Sequence, residues 1–118
     1  MKVLIVDSSV EIIQRYKEML SQIPGIQLIY NASNYADAIL HITSFNPSVV
    51  LLDTNLPAGK SLELIKEIKL KKYNTKIIAI YNRIDDQLLN QYKINGIEHF
   101  IDKYNEFEKI PGLIQSFN

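Results

Sequence analysis

The chain has 118 residues, with 13 acidic side chains balancing 13 basic ones, nearly half its residues apolar, and no cysteine. That length suits one domain with its own core. The charge balance argues against a protein that coats nucleic acid through excess Lys and Arg, and the lack of cysteine excludes a disulfide frame, a thiolate nucleophile and a Cys-based zinc site.

No apolar run is long enough for a membrane-spanning helix. MKVLIVD reaches an acid too early for a secretory segment. The expected setting is therefore the cytoplasm. KVLIV (2–6) is a short continuous apolar run, as in a strand covered on both faces. Ile12, Ile13, Tyr16, Met19, Leu20 and Ile23 then recur at helical spacing up to Pro24-Gly25. IQLIY (26–30) predicts a second strand, and Ala38, Ile39, Ile42 and Phe45 trace a helix that stops before Pro47. SVVLL (48–52) is the most uniformly apolar run and belongs at the centre of the sheet.

Leu62, Ile65 and Ile68 give a third helix, with Ser61 expected as its N-cap. KIIAIY (76–81) is a fourth strand. Leu88, Leu89 and Tyr92 mark a helix closed by Asn95-Gly96. EHFID (98–102) is the fifth strand. Asn105 and Glu108 fit a capping box, and Phe107, Ile110, Leu113, Ile114 and Phe117 follow at helical spacing. Pro111 should kink that helix or delay its start.

Strict strand–helix alternation predicts an α/β fold: a five-stranded, doubly wound parallel sheet with helices on both faces. No repeat or linker divides residues 1–118, so one domain is expected, with no output domain in the chain. In such folds ligands bind beyond the carboxyl ends of the strands. Those ends carry Asp7-Ser8, Asn31, Asp53-Thr54-Asn55, Tyr81-Asn82 and Asp102-Lys103. A flavodoxin-like strand order, 2-1-3-4-5, would set Asp7 beside Asp53. Any one of these residues is as readily a polar exit from the core. As a set, they offer two carboxylates on central strands and a lysine on the last.

Gly59-Lys60-Ser61 ends like a nucleotide-binding P-loop, but the first glycine of that motif would fall on Thr54, and Pro57 has no N–H for phosphate. The tripeptide is read as a turn into a helix. No Gly-x-Gly-x-x-Gly follows any strand. His41 and His99 lack companions for a metal site and are read as scaffold. Six lysines against two acids between 60 and 76 are read as a solvated helix face.

KVLIVD (2–7), PSVVLLDTNLP (47–57), KIIAI (76–80) and GIEHFIDK (96–103) resemble the receiver domain of two-component response regulators. The match runs in order over essentially the whole chain. The resemblance implies that Asp53 accepts a phosphoryl group from a sensor histidine kinase, a phosphotransfer protein or a small acyl phosphate. It implies Mg2+ held by Asp7, Asp53 and the backbone carbonyl of Asn55, and Lys103 paired with the phosphoryl group. A downstream protein would bind the face of the fourth helix, the fifth strand with Phe100, and the fifth helix. The domain itself would touch neither membrane nor nucleic acid, and would be a switch, not an enzyme.

The sequence also departs from the family pattern. Ser8 stands where receivers carry a second acid, and a neutral hydroxyl is a poor ligand for a hard cation. Tyr81 replaces a small Thr or Ser, Asn82 a small residue, Tyr104 a proline and Ser61 a glycine. These changes predict weakened Mg2+ dependence. They also admit a phosphorylation-independent module in which Lys103 pairs directly with Asp53. A flavodoxin-like enzyme or flavin carrier on the same architecture is a third reading, which no phosphate-cradling first loop supports.

Overall fold

The computed structural model describes residues 1–71 and 74–117. Five strands alternate with five helices: β1 (Lys2–Val6), α1 (Val10–Leu20), β2 (Leu28–Ala32), α2 (Tyr35–Phe45), β3 (Val49–Asp53), α3 (Lys60–Leu70), β4 (Lys76–Tyr81), α4 (Asp86–Ile94), β5 (His99–Asp102) and α5 (Ile110–Gln115). All pairings are parallel, in the order β2-β1-β3-β4-β5. The expected flavodoxin-like order is the one observed.

β3 is buried along its whole length, because both faces of a central parallel strand are covered by crossover helices. One core lies between the sheet and α2, α3 and α4. It contains Leu4, Val6, Val50, Leu52, Leu64, Ile65, Ile68, Ala79 and Tyr92. The other lies under α1 and α5, with Val3, Ile5, Tyr16, Leu20, Leu51, Ile78, Ile80, Ile110 and Ile114. The alternation of side-chain direction along each strand divides its residues between the two.

Several local expectations shift. β2 begins later than the apolar run and includes Asn31, which pairs in register with Ile5. Propensity does not set that boundary; the ladder to β1 does. Ser61 is not the N-cap of α3, because Gly59, with φ 67°, occupies that position. The Asn105–Glu108 capping box does not form either. Asp102 instead accepts from the backbone N–H groups of Tyr104 and Asn105, at 2.9 and 3.0 Å. Glu106 accepts from the Asp102 N–H at 2.9 Å. Pro111 delays the last helix: a 3-10 turn over Phe107–Lys109 precedes α5, which has proline in its first turn. Lys66, Lys69, Lys71 and Lys76 are exposed, as a solvated face requires, while Lys72 lies outside the described residues.

Candidate functional site

The carboxyl ends of β1, β3 and β5 converge on three charges. Asp7 follows β1 and is 1% exposed, Asp53 closes β3 at 4%, and Lys103 follows β5 at 7%. Backbone ladders fix each of them. The Asp7 N–H donates to Ala32 O at 3.1 Å, and the Lys103 N–H donates to Tyr81 O at 2.7 Å. The ammonium of Lys103 donates to Asp7 Oδ2 at 2.9 Å and stands 3.6 Å from Asp53 Oδ2. Residues 96 positions apart thus form one buried ion cluster. The anticipated pairing of Lys103 with Asp53 is present, but its shorter contact is to Asp7.

Each carboxylate also has a backbone donor. Ser9 N–H donates to Asp7 Oδ1 at 2.8 Å, and Asn55 N–H donates to Asp53 Oδ1 at 2.9 Å. Even so, the Asp53 carboxyl is held above the ordinary carboxylate range. Burial is the largest cause and repulsion from Asp7 adds to it; the Asn55 N–H and Lys103 act in the other direction. Two negative charges share one positive one, so the cluster carries a net charge of −1 in a poorly solvated seam.

The loop after β3 is clamped from below. Ser61 Oγ donates to the Asp53 carbonyl oxygen and accepts from the Leu56 N–H at 3.2 Å. The Tyr92 hydroxyl, from α4, donates to Thr54 O at 3.4 Å. Burial pushes the Tyr92 phenol up to about 12, so it is a neutral donor at physiological pH. Sequence reasoning missed both clamps. Ser61 lies on the buried stripe of α3 with Leu64, Ile65 and Ile68, and a serine on an apolar stripe is the signal that could have found it.

The remaining expected positions do not join this cluster. Ser8 and Asn82 are exposed. Tyr81 is half-buried, and after burial the charges of Glu106 and Asp102 are what raise its phenol. Phe100 packs into the core under α4, edge-on to Tyr92 with centroids 6.4 Å apart. His41 stacks with Tyr30 and Phe45, and His99 meets Phe117 edge-on, both as scaffold.

Among the described residues no group of three or more His, Asp or Glu side chains is arranged to hold a metal. Two carboxylates and a backbone carbonyl nevertheless suit Mg2+, which retains several waters and takes one or two protein carboxylates beside phosphate oxygens. Asp7 and Asp53 supply that minimum, and the ammonium of Lys103 already occupies one Asp7 oxygen.

Residues 3–115 match the model of the response regulator receiver domain. The chain is 25% identical over 114 residues to the transcriptional regulatory protein DpiA of Escherichia coli, covering 97% of this chain and 50% of that protein. It is 37% identical over 71 residues to a protein-glutamate methylesterase/protein-glutamine glutaminase of Pseudoalteromonas atlantica, covering 60% of this chain and 19% of that protein. The chain thus spans half or less of the length of these curated relatives. In fold it is similar to a DNA-binding response regulator of the LuxR family from Staphylococcus aureus. That likeness has a TM-score of 0.88 at 22% identity and covers 98% of this chain and 96% of that one.

Proposed function

The chain belongs to the response regulator receiver domain family of two-component signalling, and from that premise we propose that Asp53 is its phosphoacceptor. The observation that carries this reading is the placement of Asp53 at the end of the central strand. One of its oxygens is tied to Asn55 N–H, and the other faces the Lys103 ammonium at 3.6 Å. That arrangement leaves Oδ2 as the nucleophile. As its bond to phosphorus forms, the donor's P–N or P–O bond breaks, and the leaving imidazole or acyl carboxylate keeps the electron pair.

Phosphoryl transfer depends on positioning and charge neutralisation. Lys103 supplies neutralisation at the attacking oxygen, and the clamp of Ser61 and Tyr92 holds the loop that carries Asn55. Mg2+, when bound by Asp7, Asp53 and the Asn55 carbonyl, would offset the charge of the phosphoryl oxygens. Without an acid at Ser8 the seam carries one negative charge fewer than the family pattern, so metal affinity is reduced and Lys103 bears a larger share of the neutralisation.

Receiver domains act with histidine kinases and downstream effectors. The partners we propose here are a sensor kinase or phosphotransfer protein at the Asp53 end and an effector on the face of α4, β5 and α5. No described helix is long and apolar enough to cross a membrane. A cytoplasmic setting, and a domain that leaves membrane and nucleic acid to others, complete the proposal.

Incubation with acetyl phosphate should add one phosphoryl group to the intact mass, faster with millimolar Mg2+ by a smaller factor than for a receiver with both acids. Asp53→Asn should abolish the gain. An unmodified wild-type chain, beside a receiver that is modified, would refute the proposal and leave the phosphorylation-independent module standing.

A further inference from the structure

The backbone that carries the Lys103 ammonium is tied to the sheet on one side only, where its N–H donates to Tyr81 O at 2.7 Å. On the other side follow Tyr104 and Asn105, both exposed. Neither restricts its own φ as a proline would. What holds them is the residue before the lysine. Asp102 Oδ1 accepts from the Tyr104 N–H at 2.9 Å and the Asn105 N–H at 3.0 Å, and its Oδ2 accepts from Asn105 Nδ2 at 3.2 Å. One carboxylate thus reaches past Lys103 to the two residues after it.

Glu106 closes the ring. Its N–H donates to Asp102 O at 3.0 Å, its Oε1 accepts from the Asp102 N–H at 2.9 Å, and its Oε2 is held by Lys109 at 3.0 Å. The backbone N–H of every residue from 102 to 106 therefore has a partner in this turn or in β4. The N–H groups of Asn105 and Tyr104 also hold the Asp102 carboxyl below the ordinary carboxylate range, so it is an ionised acceptor at neutral pH.

Lys103 itself is 7% exposed, with its ammonium 2.9 Å from Asp7 Oδ2 and 3.6 Å from Asp53 Oδ2. A lysine loses much rotamer freedom on burial, so a turn free to shift would let that ammonium escape to water. We propose that Asp102 is a positioning residue: its carboxylate fixes the turn that sets the Lys103 ammonium in the seam, and so governs how fast Asp53 takes a phosphoryl group. Only the phosphoryl half of this inference rests on the proposed function.

The test has two arms. In the first, Asp102→Ala is introduced into the wild type and into Lys103→Met, and all four proteins are unfolded in urea. Lys103→Met should raise the unfolding constant about a hundredfold in the wild type. In the Asp102→Ala background, where the ammonium is no longer held, the same substitution should raise it only about tenfold. A turn that merely braces the chain before α5 would give equal factors, and that result would overturn the inference. Lys103→Gln replaces Lys103→Met if the latter does not fold.

In the second arm Lys103 is kept, and modification of Asp53 by acetyl phosphate is followed in time by intact mass. Asp102→Ala should slow it about tenfold, because a displaced ammonium costs the reaction its orientation. Asp102→Asn, whose amide oxygen can still accept from both N–H groups, should bring the rate back to within about threefold of wild type. A full rate in Asp102→Ala, or a rate in Asp102→Asn as slow as in Asp102→Ala, would refute the phosphoryl half of the inference. A wild type that takes no phosphoryl group would refute the Asp53 reading, and the urea cycle would still decide the role of Asp102.

Discussion

The tips of β3 and β4 are neighbours in the sheet, with Asp53 in register with Ile80, yet they end in opposite ways. At β3 the chain closes on a carboxylate 4% exposed, held by a backbone N–H and facing an ammonium. One residue past Ile80, Tyr81 is half-buried and Asn82 is in solvent. Charge chemistry is thus confined to the seam between β1, β3 and the loop after β5. Substitutions at that seam should be costly, and those at the β4 tip tolerated.

The largest effect should come from Lys103. Lys103→Met leaves two buried carboxylates sharing no cation, and removing one partner of a buried ion cluster costs about 3 kcal/mol. Urea unfolding should show that loss; a change under about 1 kcal/mol would mean the seam is wetter than its burial implies. Ser61→Ala comes next. It strands the Leu56 N–H and removes the donor to the Asp53 carbonyl, for a loss of about 1–2 kcal/mol in the same assay.

Asp53→Asn should change stability in the opposite direction. Because burial holds the Asp53 carboxyl above its ordinary value, the folded state binds that proton more tightly than the unfolded chain does. The group therefore favours folding below its unfolded pKa, and that contribution is lost as pH rises through the folded value. At neutral pH the ionised, desolvated carboxylate opposes folding, so Asp53→Asn should raise Tm by roughly a few degrees. The gain should shrink as the solution is acidified through the folded value toward the ordinary 3.8. Thermal melts of both proteins at neutral and mildly acid pH check the sign. The smallest effect belongs to the β4 tip: Tyr81→Thr keeps a good strand former at a half-buried site and should shift stability by less than about 1 kcal/mol. A larger loss would contradict the contrast between the two tips.

Much of this was legible from particular residues. Val49 to Leu52 announced a central strand because only a parallel strand covered on both faces is apolar throughout. The alternation of periods implied a parallel, doubly wound sheet, and a flavodoxin-like strand order, the one observed, set Asp7 beside Asp53. Errors fell where a neighbour outweighed local propensity. The ladder to β1 kept Asn31 in β2. Asp102 and Glu106 arranged the turn that Asn105 and Glu108 were expected to cap. Ser61 was assigned to a helix end, whereas its hydroxyl bridges the loop beneath the acceptor.

By itself the sequence determined the architecture and the identities of the charged residues at three strand tips, since periodicity and composition are local properties written along the chain. Only the folded chain decided that Lys103 sits closer to Asp7 than to Asp53, that Tyr81 is half-buried beside a buried Asp53, and that the Tyr16 hydroxyl is buried with no partner among the described residues. Those facts depend on how closely residues remote in sequence approach one another: Lys103 stands 2.9 Å from Asp7 and 3.6 Å from Asp53. They are set by how helices and loops pack, which no residue pattern encodes on its own.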